Sequence, residues 1–169
     1  MTGNADQPLV EDPPQAVRHL HARQESFGSD VWLLSERTAS TPFGVWRKAL
    51  FGQRGKLLLG ELRYDLGRDG LAGDHTMRRR GKAGLRASEP SLFSDRMVLR
   101  GARRRVELRP RPFRSGVEVF ERNHRIGQCA PTNWNRTSLR LTLERELPLE
   151  LAVFALWLTW LLHEGGASA

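Results

Sequence analysis

The side chains of this sequence with the most distinctive chemistry are its arginines. From Arg78 to Arg125 the chain carries fourteen arginines and one lysine against five carboxylates, a formal charge of +10, whereas the whole 169-residue chain has +8. Guanidinium groups bind phosphate and carboxylate oxygens through paired hydrogen bonds. Two tight groups, the second at the tip of a predicted hairpin, are therefore predicted to bind anions: Arg78, Arg79, Arg80 and Lys82, and Arg103, Arg104 and Arg105.

Three interpretations fit such a basic cluster. Acidic phospholipid headgroups at a membrane surface and nucleic acid both present rows of phosphate groups. Nucleic acid fits less well, because single-strand binding surfaces alternate cations with stacking aromatic rings, and only Phe93, Phe113 and Phe120 lie in the stretch. In the third interpretation the arginines form the solvated outer face of a sheet. Arginines outnumber lysines 24 to 3, so a compositional bias would also account for them.

Residues suited to catalysis or metal binding are sparse. The histidines, at positions 19, 21, 75, 124 and 163, lack the spacing of metal ligands on a helix. The pairs Asp74–His75 and Asn123–His124 lie in turn-like sequence without a nucleophile motif, and no phosphate-binding glycine motif occurs. The single cysteine, Cys129, excludes a disulfide framework and any multi-cysteine metal site, and is interpreted as a buried thiol. We therefore predict a protein that is not an enzyme, with no catalytic residues, metal or cofactor.

The elements that position the arginines are predicted to be mostly β-strands. From Val31 onwards, short alternating segments are separated by Gly, Pro, Asn and Asp. Residues 1–30 are predicted to be loosely ordered, apart from a short helix from Pro14 to Gln24, and residues 67–90 show no legible pattern. Eight strands are predicted: Val31–Glu36, Val45–Leu50, Lys56–Leu66, Arg96–Arg100, Arg104–Arg109, Gly116–Arg122, Arg125–Cys129 and Thr137–Glu144.

One strongly marked helix is predicted over residues 148–164, followed by a tail at 165–169. From Leu151 to Leu162 only Thr159 is polar, so the helix has no solvent face and belongs in a protein core or a membrane. Its twelve-residue apolar run spans about 18 Å, short of the roughly 30 Å of a bilayer core. A buried helix is therefore favoured over a C-terminal membrane anchor. Its predicted core residues are Leu151, Phe154, Leu158 and Leu161.

A helix that is apolar all round needs apolar surroundings on every side, which a closed or nearly closed antiparallel β-barrel provides. The parts of the sequence that fit this arrangement are Val117–Phe120, Arg122–Arg125, Ile126, Gly127, Leu139–Leu143 and Glu146–Leu162. In these parts the chain resembles the barrel family of tubby C-terminal domains, phospholipid scramblases and plant LURP-one-related proteins. The resemblance covers residues 31–162 and implies twelve strands, four more than the pattern predicts. None of the family's phosphoinositide-binding or calcium-binding residues matches a position here.

These features together predict a single mainly β domain over residues 31–164, an antiparallel β-barrel-like sheet that encloses a hydrophobic C-terminal helix. The predicted function is that of a binding module that contacts acidic phospholipid headgroups at a membrane surface through its arginine-rich face. A cytoplasmic location is predicted, because no apolar signal run occurs near the start and only one cysteine is present. The alternatives are a basic nucleic-acid-binding protein and a tail-anchored membrane protein.

Overall fold

The computed structural model describes residues 18–36, 41–49, 53–70, 73–89, 96–112 and 114–165. Within these residues, twelve antiparallel strands close into one barrel around a single helix, α1, Leu149–Gly165. The strands are β1 Arg18–Gln24, β2 Val31–Glu36, β3 Gly44–Lys48, β4 Gly55–Leu59, β5 Leu62–Arg68, β6 His75–Arg79, β7 Lys82–Ser88, β8 Met97–Gly101, β9 Arg104–Pro110, β10 Val117–Glu121, β11 His124–Pro131 and β12 Ser138–Leu143.

The barrel is a meander in which each strand pairs with the next one along the chain, and β1 pairs with β12 to close it. The closing register places Leu20 opposite Leu141 and Ala22 opposite Leu139. Alternate side chains of a strand point to opposite faces, so a period of two in apolar residues predicts one buried face. Leu139, Leu141 and Leu143 are all buried, as this period predicts.

The barrel confirms the predicted fold class and contains four strands that the sequence pattern does not show. The predicted strand Lys56–Leu66 is two strands, because Gly60, with a φ of 56°, turns the chain between β4 and β5. β6 and β7 lie within residues 67–90, and their buried apolar residues, Met77, Leu85 and Ala87, are too few to show a clear alternation. The other predicted strands agree with observed strands to within two residues; Leu50, the end of one of them, lies outside the described residues.

The fourth additional strand is β1, where the predicted helix from Pro14 to Gln24 is wrong over its described part, Arg18–Gln24. Leu20 and Ala22 alternate with more exposed residues, and both are completely buried. The backbone of β1 pairs with β12 on one side and β2 on the other. Pairing on both sides outweighs the weak helical preference of so short a segment. The barrel therefore begins at Arg18 and not at Val31, and residues 1–17 lie outside the described residues.

The helix α1 fills the interior of the barrel and is a core element, as the first of the two interpretations predicts. Thr159, the polar residue of its apolar run, donates its hydroxyl hydrogen to the carbonyl oxygen of Ala155 at 2.8 Å, which satisfies a buried polar group within the helix. No helix in the described part of the chain is long and apolar enough to cross a membrane. The four residues predicted to face the core are buried there: Leu151, Phe154, Leu158 and Leu161.

The two ends of the barrel differ, because consecutive turns of a meander alternate between them. The end that we call the loop end holds longer connections, among them residues 25–30 and 132–137. There Lys48, at the end of β3, pairs with Glu164 in the last turn of α1 at 2.7 Å, so α1 runs towards this end. At the opposite end, called the hairpin end, two-residue turns join four pairs of strands: Gly60–Glu61, Arg80–Gly81, Ala102–Arg103 and Arg122–Asn123.

Candidate anion-binding site

Three neighbouring turns at the hairpin end carry the predicted arginine groups. The β6–β7, β8–β9 and β10–β11 turns follow one another around the barrel, and each is two strand spacings, about 10 Å, from the next. Arg80, Arg103 and Arg122 lie in these turns. Basic groups that are about twenty residues apart in the sequence are therefore brought to one end of the barrel by the meander.

The three turns share a backbone conformation that arginine rarely adopts. Both central residues of a type I′ turn have positive φ, which suits a tight hairpin and favours Asn and Gly. A side chain in this left-handed region costs about 1 kcal/mol. The φ values are 51° and 75° for Arg80 and Gly81, 51° and 57° for Ala102 and Arg103, and 49° and 65° for Arg122 and Asn123. Each tip therefore holds one arginine in a strained conformation.

Five cations at these tips, which we call the hairpin rim, form no ion pair within 4 Å among the described residues. The charge of Arg122 does act on Glu121, but the carboxylate of Glu121 is bonded to Arg104. All five are exposed. An unpaired guanidinium keeps five N–H donors available and an ammonium keeps three. The rim can therefore bind phosphate or carboxylate oxygens without first breaking an internal ion pair. It consists of Arg79, Arg80, Lys82, Arg103 and Arg122.

The remaining three of the seven predicted residues are paired with carboxylates. The guanidinium of Arg78 pairs with Asp69, directly after β5, and also donates to the carbonyl oxygen of Gly81 in the β6–β7 turn at 3.4 Å. That of Arg105 pairs with Glu107 on the barrel wall. Arg78 Nη2 lies 2.6 Å from Asp69 Oδ1, and Arg105 Nη2 lies 3.5 Å from Glu107 Oε1. Arg104 Nη2 lies 2.8 Å from Glu121 Oε2. The structure therefore leaves four of the predicted residues without an ion pair at the rim and pairs the other three with carboxylates.

The ion pair between Arg104 and Glu121 lies beneath the rim, and each partner stabilises the charged form of the other. Hydrogen bonds from Arg104 hold the pKa of Glu121 below its usual range, and the same bonds raise the pKa of Arg104. Glu121 therefore stays ionised at neutral pH and neutralises Arg104. This pair braces β9 against β10, while the unpaired charges lie above it at the turns.

Arg122 belongs to the rim but is not among the residues that the sequence predicts to bind anions. A signal for it is present, since Arg122 and Asn123 separate two apolar segments by two residues, and asparagine is typical of a type I′ turn. A cluster of arginines that is recognised in the sequence contains residues that are neighbours along the chain. The rim instead groups residues that share a position in successive turns.

The residues considered for catalysis do not converge. His75 and Cys129 are buried, whereas His124 is exposed at the start of β11. Burial raises the pKa of the Cys129 thiol to about 12, so the thiol stays protonated at neutral pH. Within the described ranges, no three His, Cys, Asp or Glu side chains come together in a way that would hold a metal ion.

His75 makes the stability of the barrel depend on pH. Its ring is 4% exposed, lies 5.9 Å from the ring of Trp157, and has an Nδ1 without a hydrogen-bond partner in the described structure. Burial, followed by the charge of Arg68, lowers the pKa of His75 from 6.5 to about 4. Between these two values the unfolded chain binds a proton that the folded chain does not. The free energy of unfolding must therefore fall as the pH falls through this window.

We expect this loss to reach about 3 kcal/mol between pH 7 and pH 4, because each pH unit in the window contributes about 1.4 kcal/mol. Urea titrations at a series of pH values measure it. His75→Leu removes the titrating group and should flatten much of the dependence. A smaller part should remain from His163, whose pKa burial also lowers. The same pH slope in wild type and His75→Leu would contradict this explanation.

Comparison with known proteins adds no identification. No family model, curated protein or solved structure matches this chain. The function of the site is therefore derived from its own geometry.

Proposed function

We propose that this protein is a binding module that holds acidic phospholipid headgroups on its hairpin rim. The observation that carries the proposal is the set of five exposed cations on three adjacent tips that form no ion pair within 4 Å in the described residues. Each cation near an anionic membrane surface contributes about 1 kcal/mol to binding. Five of them contribute about 5 kcal/mol, which suits reversible attachment to a membrane that contains acidic lipid.

The strained backbone of the tips supports a role in binding rather than in solvation. Asn or Gly in place of Arg80, Arg103 or Arg122 would relieve the strain, and strained residues concentrate at functional sites. An arginine that only solvates the barrel can lie on a strand without this cost, as the exposed Arg63 and Arg140 do. Three strained arginines on adjacent tips therefore favour a ligand.

A membrane surface fits the rim better than nucleic acid does. Binding to single strands depends on aromatic rings interleaved with the cations, and the three turns themselves contain none. Phe120 lies on the neighbouring strand, but the guanidinium of Arg109 covers its ring at 4.1 Å. Phe93 and Phe113 lie outside the described residues. A row of charged turns at the end of a barrel suits contact with a flat anionic surface.

We also propose that the chain is related to the tubby, scramblase and LURP-one-related barrels. The support is architectural, namely twelve antiparallel strands closed around a C-terminal helix. Headgroup binding at the rim does not rest on this relationship. It is argued from this chain's own cations, since none of the family's ligand-binding residues matches a position here.

Vesicle sedimentation tests the proposed function. We expect the protein to cosediment with vesicles that contain phosphatidylserine at near-physiological salt, and to be displaced poorly by excess duplex or single-stranded DNA. The rim variant Arg79→Ser/Arg80→Ser/Lys82→Ser should lose about 100-fold of the protein's preference for these vesicles over vesicles of phosphatidylcholine alone, because three surface cations contribute about 3 kcal/mol.

A matched control removes three exposed arginines away from the rim, on β1, in the β3–β4 connection and on β12. The variant Arg23→Ser/Arg54→Ser/Arg140→Ser changes the net charge by the same amount and should bind far more tightly than the rim variant. Equal weakening of both variants would contradict a localised site. Tight binding to DNA without retention on acidic vesicles would make nucleic acid the partner.

Arg103 is expected to favour binding at the expense of stability. Arg103→Gly places glycine at a φ of 57°, so the free energy of unfolding should rise by about 0.5–1 kcal/mol while binding to acidic vesicles falls several-fold. Arg105→Gly, on β9, should instead lower stability by a similar amount, because glycine weakens a strand. Urea unfolding of both variants checks the two signs. A destabilised Arg103→Gly protein would show that this tip is not strained.

A further inference from the structure

The loop end, opposite the rim, carries the two most exposed aromatic side chains of the described structure. Trp134 in the β11–β12 connection is 94% exposed, and Phe27 in the β1–β2 connection is 87% exposed. These connections are neighbours because β1 pairs with β12, and the backbone N–H of Gln24 donates to the carbonyl oxygen of Thr137 at 2.8 Å. The barrel therefore presents both rings to solvent from adjacent positions.

Trp134 is held in a turn that polar side chains fasten. Asn133 Nδ2 donates to Thr137 Oγ1 at 2.8 Å, and the same hydroxyl donates to Asn135 Oδ1 at 3.0 Å. The two residues that flank the indole are thus tied to each other through one threonine. Hydrogen bonds hold this turn, and burial of the indole ring contributes nothing to it. The ring remains in water, where exposure of its apolar surface is unfavourable.

Phe27 is presented by a turn of the same kind. Gly28, with a φ of 80°, reverses the chain directly after it. The backbone N–H of Glu25 donates to the carbonyl oxygen of Val31 at 2.9 Å, and the N–H of Val31 donates to Ser29 Oγ at 3.1 Å. This turn too is closed by polar contacts that leave the aromatic ring exposed.

We infer that Phe27 and Trp134 insert into the interfacial region of a lipid bilayer. The rings protrude singly from polar turns, so they do not form the continuous patch of about 800 Å² that a stable protein interface buries on each partner. A bilayer needs no complementary shape, and tryptophan is enriched at its interface. The residues directly beside each ring are uncharged, whereas the charged Glu25, Asp30 and Arg136 lie further along the same connections. The uncharged neighbours are Ser26, Gly28, Asn133 and Asn135.

This contact is independent of the rim. The helix α1, with 17 residues, runs the length of the barrel and spans about 25 Å. The aromatic pair and the rim therefore face in opposite directions and do not share ligands. The pair should act on a neutral bilayer, whereas the rim requires an anionic surface.

Vesicles of phosphatidylcholine alone test the inference, because they offer the rim no net negative charge. We expect the protein to cosediment with them, and its tryptophan fluorescence to be quenched by phosphatidylcholine that is brominated in the upper acyl chain. Phe27→Ser/Trp134→Ser should weaken this binding at least about tenfold. Trp134→Phe should keep most of the binding while losing the quenching.

Two controls separate insertion from other effects. Leu58→Ser removes a side chain that is 41% exposed on the barrel wall and should leave binding to neutral vesicles unchanged. The rim variant Arg79→Ser/Arg80→Ser/Lys82→Ser should also bind neutral vesicles normally, so failure of the rim and failure of the aromatic pair are distinguishable.

Three results would overturn the inference. The first is wild-type protein that does not bind phosphatidylcholine vesicles, and the second is a Phe27→Ser/Trp134→Ser protein that binds them as well as wild type does. The third is concentration-dependent dimerisation of the wild type, measured by analytical ultracentrifugation, that this variant abolishes. In that case a second copy of the chain, and not a bilayer, would cover the aromatic pair.

Discussion

Replacing Leu158 by Asp is expected to leave the protein unfolded. Leu158 lies in the middle of α1 without exposed surface, and a closed barrel surrounds the helix. Burial of a carboxyl group away from water costs several kcal/mol in addition to the lost packing of leucine. This sum is comparable with the whole stability of a typical domain, about 5–15 kcal/mol. Circular dichroism and the dispersion of amide NMR signals measure the loss of fold.

Two further substitutions show whether the effect comes from the enclosed charge. Leu158→Ala should lower the free energy of unfolding by about 2–5 kcal/mol and leave a cooperative transition. Leu58→Asp, on the partly exposed wall, should change stability by less than about 1 kcal/mol. A folded Leu158→Asp protein with a wild-type unfolding midpoint would contradict a helix enclosed by strands.

Trp157→Ala is expected to lower the free energy of unfolding by about 3–5 kcal/mol. The ring of Trp157 is 1% exposed, stacks on Phe154 with centroids 5.8 Å apart, and meets His75 edge-on at 5.9 Å. Its removal opens a cavity beside α1. The cavity cannot close easily, because hydrogen bonds around the closed barrel hold the strands at their spacing. Urea denaturation measures the loss.

Trp134→Ala is the matched control, since it makes the same substitution at a ring that is 94% exposed. It should change the free energy of unfolding by less than about 0.5 kcal/mol. Trp157→Ala should also raise the pKa of His75 towards 6.5, because water that enters the cavity reduces the desolvation of the imidazole. Equal stability losses in the two alanine variants, or an unchanged His75 titration by NMR, would contradict the central position of Trp157.

The sequence by itself determines the core helix and the faces of the clearest strands. From Leu151 to Leu162 the apolar residues cover every direction around a helix, and this requires an enclosure before any strand is placed. Leu139, Leu141 and Leu143 show which face of β12 is buried. Each signal, the continuous apolar run of α1 and the period of two in β12, lies within one element, so it can be read without knowledge of the neighbouring elements.

Other elements depend on partners that are distant in the chain. Arg18–Gln24 contains only two inward apolar residues, Leu20 and Ala22, and its local sequence is compatible with a helix. Pairing with β2 and β12 makes it a strand. In β6 and β7 the buried apolar residues are only Met77, Leu85 and Ala87, which are too few in two short strands to be recognised as a period in the sequence.

The hairpin rim, too, can be predicted from the sequence only in part. The sequence shows where arginines are concentrated, and the structure decides which of them lack a counter-ion. Arg78 and Arg80 are two residues apart, yet Arg78 pairs with Asp69, directly after β5, while Arg80 lies at a tip without an ion pair. Arg122, from a more distant hairpin, joins the same rim. The physical reason is that an ion pair between strands depends on the register of their pairing. The grouping of the tips depends on the meander, which places alternate turns at the same end of the barrel. Neither the register nor the grouping can be read from residues that are neighbours in the sequence.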